Sequence, residues 1–173
     1  GIPYLIGGSL ASALYGIIRA TIHADLVADV KEEHIPKLVD ILKGEFYIDE
    51  AMILASLQHS ISFNLIHLES MFKIDVFPLK ARAFDQIQMR RRVPRTVGDQ
   101  NEESAYFSTA EDIILAKLEW FRAGGETSER HWRDVLGVIR LQASRLDFPY
   151  LLEWAEQLGV QDLLHKALSS TEG

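Results

Sequence analysis

The sequence of 173 residues lacks cysteine altogether. Disulfide bonds, thiolate metal sites and thiol nucleophiles are therefore excluded, and the composition fits a reducing cytoplasm. Long apolar runs are lacking as well, because each is interrupted well short of the about 20 residues that span a bilayer. We therefore expect a soluble, cytoplasmic protein with no membrane partner. Because Gly1 leads directly into strand-like residues, we also expect that a preceding segment, such as a first helix, is missing.

Positive charge is in short supply. Lys and Arg number 18 against 25 Asp and Glu, which gives a formal net charge of -7. Long-range attraction to nucleic acid or anionic membrane is therefore disfavoured, and contact with a polyanion requires a local basic patch. The marked basic cluster is Arg90, Arg91, Arg92 and Arg95. Such runs are most often simply solvated, but this one could also bind a triphosphate, an RNA backbone or an acidic partner.

Several common catalytic patterns are also missing. The sequence has no Ser-His-Asp order with a nucleophile elbow, no Walker turn ending in Gly-Lys-Ser or Gly-Lys-Thr, and no Rossmann glycine pattern. The commonest hydrolase, ATPase and dehydrogenase classes are therefore excluded.

The first half of the chain mixes strand and helix patterns. Residues 4–6 form a strand-like run that stops at Gly7-Gly8, and Ser9 can cap a helix that extends through Gly16. Residues 21–30 read as a second strand, with His23, Asp25 and Asp29 on one face and apolar residues on the other. Further elements are predicted as a helix over 31–43, a short strand over 45–49, a helix over 50–58, and an antiparallel hairpin of strands over 60–68 and 70–79, with Asp75 near the middle of its second arm.

The second half changes character. Residues 80–104 are charged and rich in turn residues, and we predict an irregular connection there. Helical patterns follow from Thr109 to the Gly124-Gly125 pair and over 128–141, 148–158 and 160–168. Trp120, Trp132 and Trp154 lie next to apolar residues of these helices and are interpreted as packing residues. The order predicts an α+β domain over residues 1–100 and a helical carboxyl-terminal region over 101–173.

Two carboxylates on separate predicted strands indicate where chemistry takes place. If Asp25 and Asp75 converge without a cation, they repel one another by about 4 kcal/mol at about 4 Å and an effective dielectric near 20. Convergence therefore implies a bound cation, which in nucleotidyl transfer is magnesium or manganese. The Gly7-Gly8-Ser9 turn is either an ordinary tight turn or a phosphate-binding turn at a helix start. Asp29 fits a solvated strand end better than it fits this site.

The runs "IGGSLASALYG", "HADLVADV" and "FKIDVF" together resemble the nucleotidyltransferase superfamily, whose fold is shared with DNA polymerase beta and the aminoglycoside nucleotidyltransferases. The helical half resembles small bacterial members related to toxin and antitoxin nucleotidyltransferases. The resemblance implies an α+β fold, with a mixed sheet flanked by helices and a helical carboxyl-terminal region. It also implies that a nucleoside triphosphate is bound with Mg²⁺ or Mn²⁺.

The resemblance assigns roles residue by residue. Gly7, Gly8 and Ser9 match the phosphate-binding turn, and Asp25 and Asp75 match the second and third metal-binding carboxylates. Asp75 is then also the group that takes the proton from the attacking hydroxyl. Lys117 is placed near the nucleotide, and Arg130 and Asp134 are placed on the cleft.

His23 departs from the family pattern, because it stands where the first carboxylate is expected. Imidazole is a poor ligand for magnesium but an acceptable one for manganese, cobalt, nickel or zinc. Three outcomes stay open: a site adapted to a softer metal, a site that binds nucleotide without turnover, and a site emptied of function. Weak or absent transfer is favoured over robust activity.

Two hypotheses follow. The first is an enzyme that transfers a nucleotidyl group from a nucleoside triphosphate to a hydroxyl of a small molecule, a tRNA or a protein. The second is a catalytically degenerate nucleotide-binding or regulatory protein, such as a toxin–antitoxin component with a protein partner.

Overall fold

A computed structural model describes residues 1–16, 21–97 and 103–171. In the described part of the chain, seven strands form one mixed sheet with the order β3-β4-β5-β2-β1-β7-β6. The strands are β1 Tyr4–Ile6, β2 His23–Ala28, β3 Phe46–Tyr47, β4 Phe63–His67, β5 Lys73–Pro78, β6 Val93–Val97 and β7 Glu103–Phe107. The helices are α1 Gly8–Tyr15, α2 Ile35–Leu42, α3 Glu50–His59, α4 Ala83–Arg91, α5 Ala110–Ala123, α6 Glu129–Gln142, α7 Phe148–Gln157 and α8 Gln161–Ser169. The predicted α+β class is confirmed.

The contacts of the chain divide it into two compact units. One, the sheet unit, contains the strands and α2 to α4. The other, the helical unit, contains α1 and the chain from Ser108 onward. Helix α1 therefore belongs with helices that follow it by about a hundred residues in the sequence. The predicted domain boundary between residues 100 and 101 stays a prediction.

The sheet unit is organised around β2 and β5. These strands pair parallel to one another, β1 pairs antiparallel with β2, and β4 pairs antiparallel with β5. The antiparallel pairing of β4 with β5 confirms the predicted hairpin. Ala24, Ala28 and Val76 are buried, whereas His23 and Asp25 are only half-buried. The alternation predicted for the second strand is thus observed, with one face in the core and the other available for chemistry.

Residues 80–104 contradict the predicted irregular connection, because they contain α4, β6 and the start of β7. Helix α4 is mostly polar and buries only three residues, Phe84, Gln88 and Met89, so it shows little apolar periodicity. Strand β6 is an edge strand whose last four residues are exposed, so its sequence has no buried face to reveal. Pro94 is compatible with such an edge. Residues 98–102 of this stretch lie outside the described residues.

The helical unit is centred on α5. Thr109 begins this helix by accepting a hydrogen bond from the Asp112 amide at 3.2 Å, as the sequence predicts. Its buried apolar residues are Ile113, Ile114, Leu115, Leu118 and Phe121. Trp132 packs with its ring centroid 5.4 Å from that of Phe121, in line with a packing role. Trp120 is instead 57% exposed, because burial at the carboxyl end of α5 is confined to the side of Phe121.

Candidate functional site

The register of β2 against β5 brings four polar side chains together on one face of the sheet. His23 is the partner of Lys73, and Asp25 is the partner of Asp75. Partners in an in-register parallel pair project to the same side, and so do alternate residues of one strand. We call these four residues, His23, Asp25, Lys73 and Asp75, the polar quartet.

Three members of the polar quartet offer ligand atoms at metal-binding spacing. A ring nitrogen of His23 and one carboxylate oxygen each from Asp25 and Asp75 all lie within 4.8 Å of one another. The Nε2 atom of His23 is 3.9 Å from Oδ2 of Asp25. Among the described residues, no other group of three His, Cys, Asp or Glu side chains meets in this way. The structure therefore brings together the three residues that the sequence marked as metal ligands.

The donor set determines which cations fit. Two carboxylate oxygens suit magnesium and manganese, whereas an imidazole nitrogen suits manganese, cobalt, nickel or zinc. The side chains of His23, Asp25 and Asp75 are 26%, 25% and 17% exposed, so a cation could reach them while part of its shell stayed hydrated. One nitrogen and two oxygens thus fit a manganese-type ion better than they fit magnesium.

Lys73 is a member of the site that the sequence analysis missed. Its Nζ lies 2.9 Å from Oδ1 of Asp75, and the two residues are two positions apart on the same strand. The period-two alternation of a strand was a signal that could have revealed it. An ammonium group therefore contacts one of the two carboxylates that a metal ion would need.

The glycine turn is tied to the strand that carries Asp25. The Gly7 amide donates a hydrogen bond to the Asp25 backbone carbonyl at 2.8 Å, so the turn starts directly beside that residue. Gly8 then begins α1 with a φ of 55°, a left-handed conformation that favours glycine. The helix thus begins two residues earlier than a Ser9 cap predicts, with Ser9 inside its first turn.

Within the helical unit, Ser9 is held by a distant arginine. Arg130 of α6 donates a hydrogen bond from its guanidinium to the Ser9 hydroxyl at 2.7 Å, and Ser9 itself is 6% exposed. The start of α1 therefore combines the first backbone amides of a helix with a hydroxyl and a guanidinium. This is a combination that binds anionic oxygens.

Lys117 occupies a buried ion pair in the same unit. Its Nζ lies 2.8 Å from Oδ2 of Asp134, and the two side chains are 8% and 9% exposed. The pair connects α5 with α6. Lys117 therefore has a structural role in this unit, and its predicted contact with a nucleotide stays a prediction.

Two other groups singled out in the sequence do not belong to the three-residue metal-ligand cluster. Asp29 follows the end of β2 and pairs with Lys31 at 2.6 Å. In the basic cluster, Arg90 and Arg91 end α4, and the Arg92 guanidinium lies over the Tyr106 ring, 4.9 Å from its centroid. Within the described residues, no helix is long and apolar enough to cross a membrane.

Solved structures share this fold. The chain is similar to a crystal structure of an antigenic nucleotidyltransferase-like protein from Paracoccidioides brasiliensis, with a TM-score of 0.56 and 19% identity over 97% of this chain and 84% of the other. A looser likeness is to the solution structure of the antibiotic-resistance factor ANT(2'')-Ia, with a TM-score of 0.44 and 14% identity over 99% of this chain and 86% of the other. Another is to the crystal structure of the lincomycin-bound lincosamide antibiotic adenylyltransferase LnuA, with a TM-score of 0.45 and 13% identity over 79% of this chain and 85% of the other.

No family model matches the sequence, and no curated protein is similar to it in sequence. The likeness to the Paracoccidioides protein establishes the fold, which is that of a nucleotidyltransferase-like protein. The mixed sheet flanked by helices, predicted from the sequence, is thereby confirmed.

Proposed function

We propose that this protein binds a nucleoside triphosphate together with a divalent cation and transfers its nucleotidyl group to a hydroxyl. The observation that carries the proposal is the convergence of the His23, Asp25 and Asp75 ligand atoms within 4.8 Å, on a sheet with the fold of a nucleotidyltransferase-like protein. Neither feature suffices alone, because folds host many functions and exposed acidic groups often carry no ion.

Asp25, Asp75 and His23 would hold the cation in this proposal. When bound, a divalent ion neutralises charge on the phosphate oxygens and on the leaving pyrophosphate. The two carboxylates supply the negative charge that attracts it, and His23 supplies a nitrogen ligand in place of a third carboxylate. Because His23 carries no negative charge, the cluster attracts any cation less strongly than three carboxylates would.

Asp75 is also the proposed acceptor of the hydroxyl proton. The acceptor oxygen forms a bond to the α-phosphorus, the bond from that phosphorus to the bridging oxygen breaks, and pyrophosphate leaves. The proton of the attacking hydroxyl passes to an Asp75 carboxylate oxygen. With a side chain 17% exposed, Asp75 is the less exposed of the two carboxylates, which favours a role at the reacting atoms.

The proposed phosphate ligands are the backbone amides of Gly8 and Ser9 and the Ser9 hydroxyl. The first amides of a helix are without helical partners and carry partial positive charge, so they bind phosphate oxygens. Arg130 already donates to Ser9 and adds a full positive charge at the same helix start. Gly7 and Lys117 complete the proposed nucleotide-binding set.

A second function is favoured by a specific observation: the His23 imidazole lies beside Asp25, and the Lys73 ammonium lies beside Asp75. His23 replaces a carboxylate and Lys73 contacts another, so the polar quartet carries less negative charge than its two aspartates alone. A site weakened in this way fits a protein that binds nucleotide without turning it over. Such a protein could act as a regulator, or as one half of a toxin–antitoxin pair.

One experiment separates the two functions. The protein is incubated with each labelled nucleoside triphosphate and either Mn²⁺ or Mg²⁺, and pyrophosphate release and label transfer are measured. Release that depends on Mn²⁺ and disappears in Asp75→Asn supports the enzyme. A stable complex without release supports the binding protein, and no nucleotide binding under any condition rejects both.

A further inference from the structure

We propose that Lys73 is a built-in competitor for the metal ion. Its ammonium group contacts the Asp75 carboxylate, which a cation would also use, and metal affinity is set by how easily the ammonium is displaced. The inference rests on the proposed function in one respect, namely that His23, Asp25 and Asp75 are the metal ligands.

The contact geometry makes Lys73 a direct rival of the cation. The Nζ atom lies 2.9 Å from Oδ1 of Asp75, which is hydrogen-bonding distance for a charged pair. Strand alternation puts Lys73 and Asp75 on the same face of β5, and the register puts them opposite His23 and Asp25. The ammonium therefore contacts one of the three proposed metal ligands directly.

The charge balance points in the same direction. Two carboxylates and one ammonium leave a net charge of about one negative unit when the imidazole is neutral. A divalent ion bound beside the ammonium is repelled by it, and a unit charge a few ångströms away in a partly hydrated site changes divalent affinity by about tenfold or more. The quartet therefore partly neutralises itself.

Lys73 can also be displaced. Its side chain is 44% exposed, and a lysine has a long flexible stem that can turn its ammonium into water at low cost. Lys73 therefore competes with the metal without excluding it. A metal-loaded state is reached when the free metal concentration is high enough to outcompete the ion pair.

The test is Mn²⁺ binding to Lys73→Met without nucleotide, measured from the electron paramagnetic resonance signal of free Mn²⁺. Methionine keeps most of the length of the side chain and removes its charge, so we expect the Kd for Mn²⁺ to fall by about tenfold. Lys73→Gln should behave in the same way, and Lys73→Arg should stay within about twofold of the unsubstituted protein because it keeps the charge. Lys43→Met is the matched control, since Lys43 forms an even closer pair with Asp40, at 2.6 Å, outside the quartet.

The outcomes are distinguishable. If Asp75→Asn abolishes Mn²⁺ binding but Lys73→Met and Lys73→Gln bind it no more tightly than the unsubstituted protein, the competition is refuted and the metal site stands. If Lys43→Met tightens binding as much as Lys73→Met does, the effect is one of total charge and the inference also fails. If neither the unsubstituted protein nor Lys73→Met binds more tightly than Asp75→Asn, the metal site fails, and this inference fails with it.

Discussion

The guanidinium of Arg130 donates to the hydroxyl of Ser9 at 2.7 Å and so links α6 to the first turn of α1. If this helix start binds phosphate, Arg130→Met should weaken triphosphate binding by about tenfold or more, because hydrogen bonds from a charged donor to phosphate are strong. Isothermal titration with a non-hydrolysable triphosphate measures the change. Arg133→Met is the control, because Arg133 lies on the same helix with a side chain 73% exposed. Equal losses in the two variants would show that the effect is not local.

His23→Asp should convert the cluster to three carboxylates and raise Mg²⁺ affinity by about tenfold, while Mn²⁺ affinity rises less. The reason is that an oxygen ligand with a full charge replaces a neutral nitrogen that magnesium accepts poorly. Mg²⁺ titrations in the presence and absence of nucleotide provide the measurement. His34→Asp adds the same charge elsewhere in the sheet unit and should leave Mg²⁺ affinity nearly unchanged. An unchanged affinity in His23→Asp would remove position 23 from the site.

Asp25→Asn and Asp75→Asn should each abolish measurable Mn²⁺ binding, because an amide oxygen lacks the charge that holds the ion. Asp29→Asn should retain it, since Asp29 pairs with Lys31 and lies apart from the three converging ligands. The comparison uses one assay for all three variants. Loss of binding in Asp29→Asn alone would place the metal beyond the end of β2.

Asp134→Asn should destabilise the protein by about 3 kcal/mol, because it leaves the Lys117 ammonium buried without its carboxylate. The double substitution Lys117→Met with Asp134→Leu should recover most of that loss, since replacing both partners removes the uncompensated charge. Urea unfolding of Lys117→Met, Asp134→Leu and the double variant gives the coupling energy. If Lys117→Met instead leaves stability unchanged and eliminates triphosphate binding, the role of Lys117 is at the nucleotide.

Gly16→Ala should destabilise the protein by about 1–3 kcal/mol through overpacking. A Cβ at this position would lie 3.0 Å from the Ser12 carbonyl oxygen and 3.1 Å from Cγ2 of Val138, both within the helical unit. Gly44→Ala is the matched control, because a Cβ there meets nothing within 4 Å. The thermal unfolding midpoint of Gly16→Ala should therefore lie clearly below that of Gly44→Ala. Equal midpoints would mean that α1 and α6 have room to move apart.

The sequence predicted much of this architecture because the relevant elements have strong patterns. Strand β2 alternates polar and apolar residues, and the glycine pair marks the turn before α1. Helix α4 and strand β6 were missed for the opposite reason, since α4 buries few residues and β6 is almost entirely exposed. Hydrophobic periodicity cannot indicate an element that has almost no buried face.

The candidate site was predicted only in part. His23, Asp25 and Asp75 follow from residue type and strand alternation, together with a resemblance to a known family. Lys73 was not predicted, although it lies two positions before Asp75 on the same strand and period-two alternation puts the two side chains on one face. Its place opposite His23 depends on the register between two strands that lie far apart in the sequence. Pairing of β2 with β5 brings His23 opposite Lys73, and no local pattern in either strand specifies that partner.

The in-register pairing of Asp25 with Asp75 has a consequence for folding. These residues are separated by fifty positions along the chain, and both strands lie in the interior of the sheet. An ion held by both carboxylates would bind the folded sheet but not the unfolded chain, and would therefore raise the unfolding temperature in proportion to the logarithm of its concentration. Metal supply would then govern the lifetime of the protein as well as its chemistry.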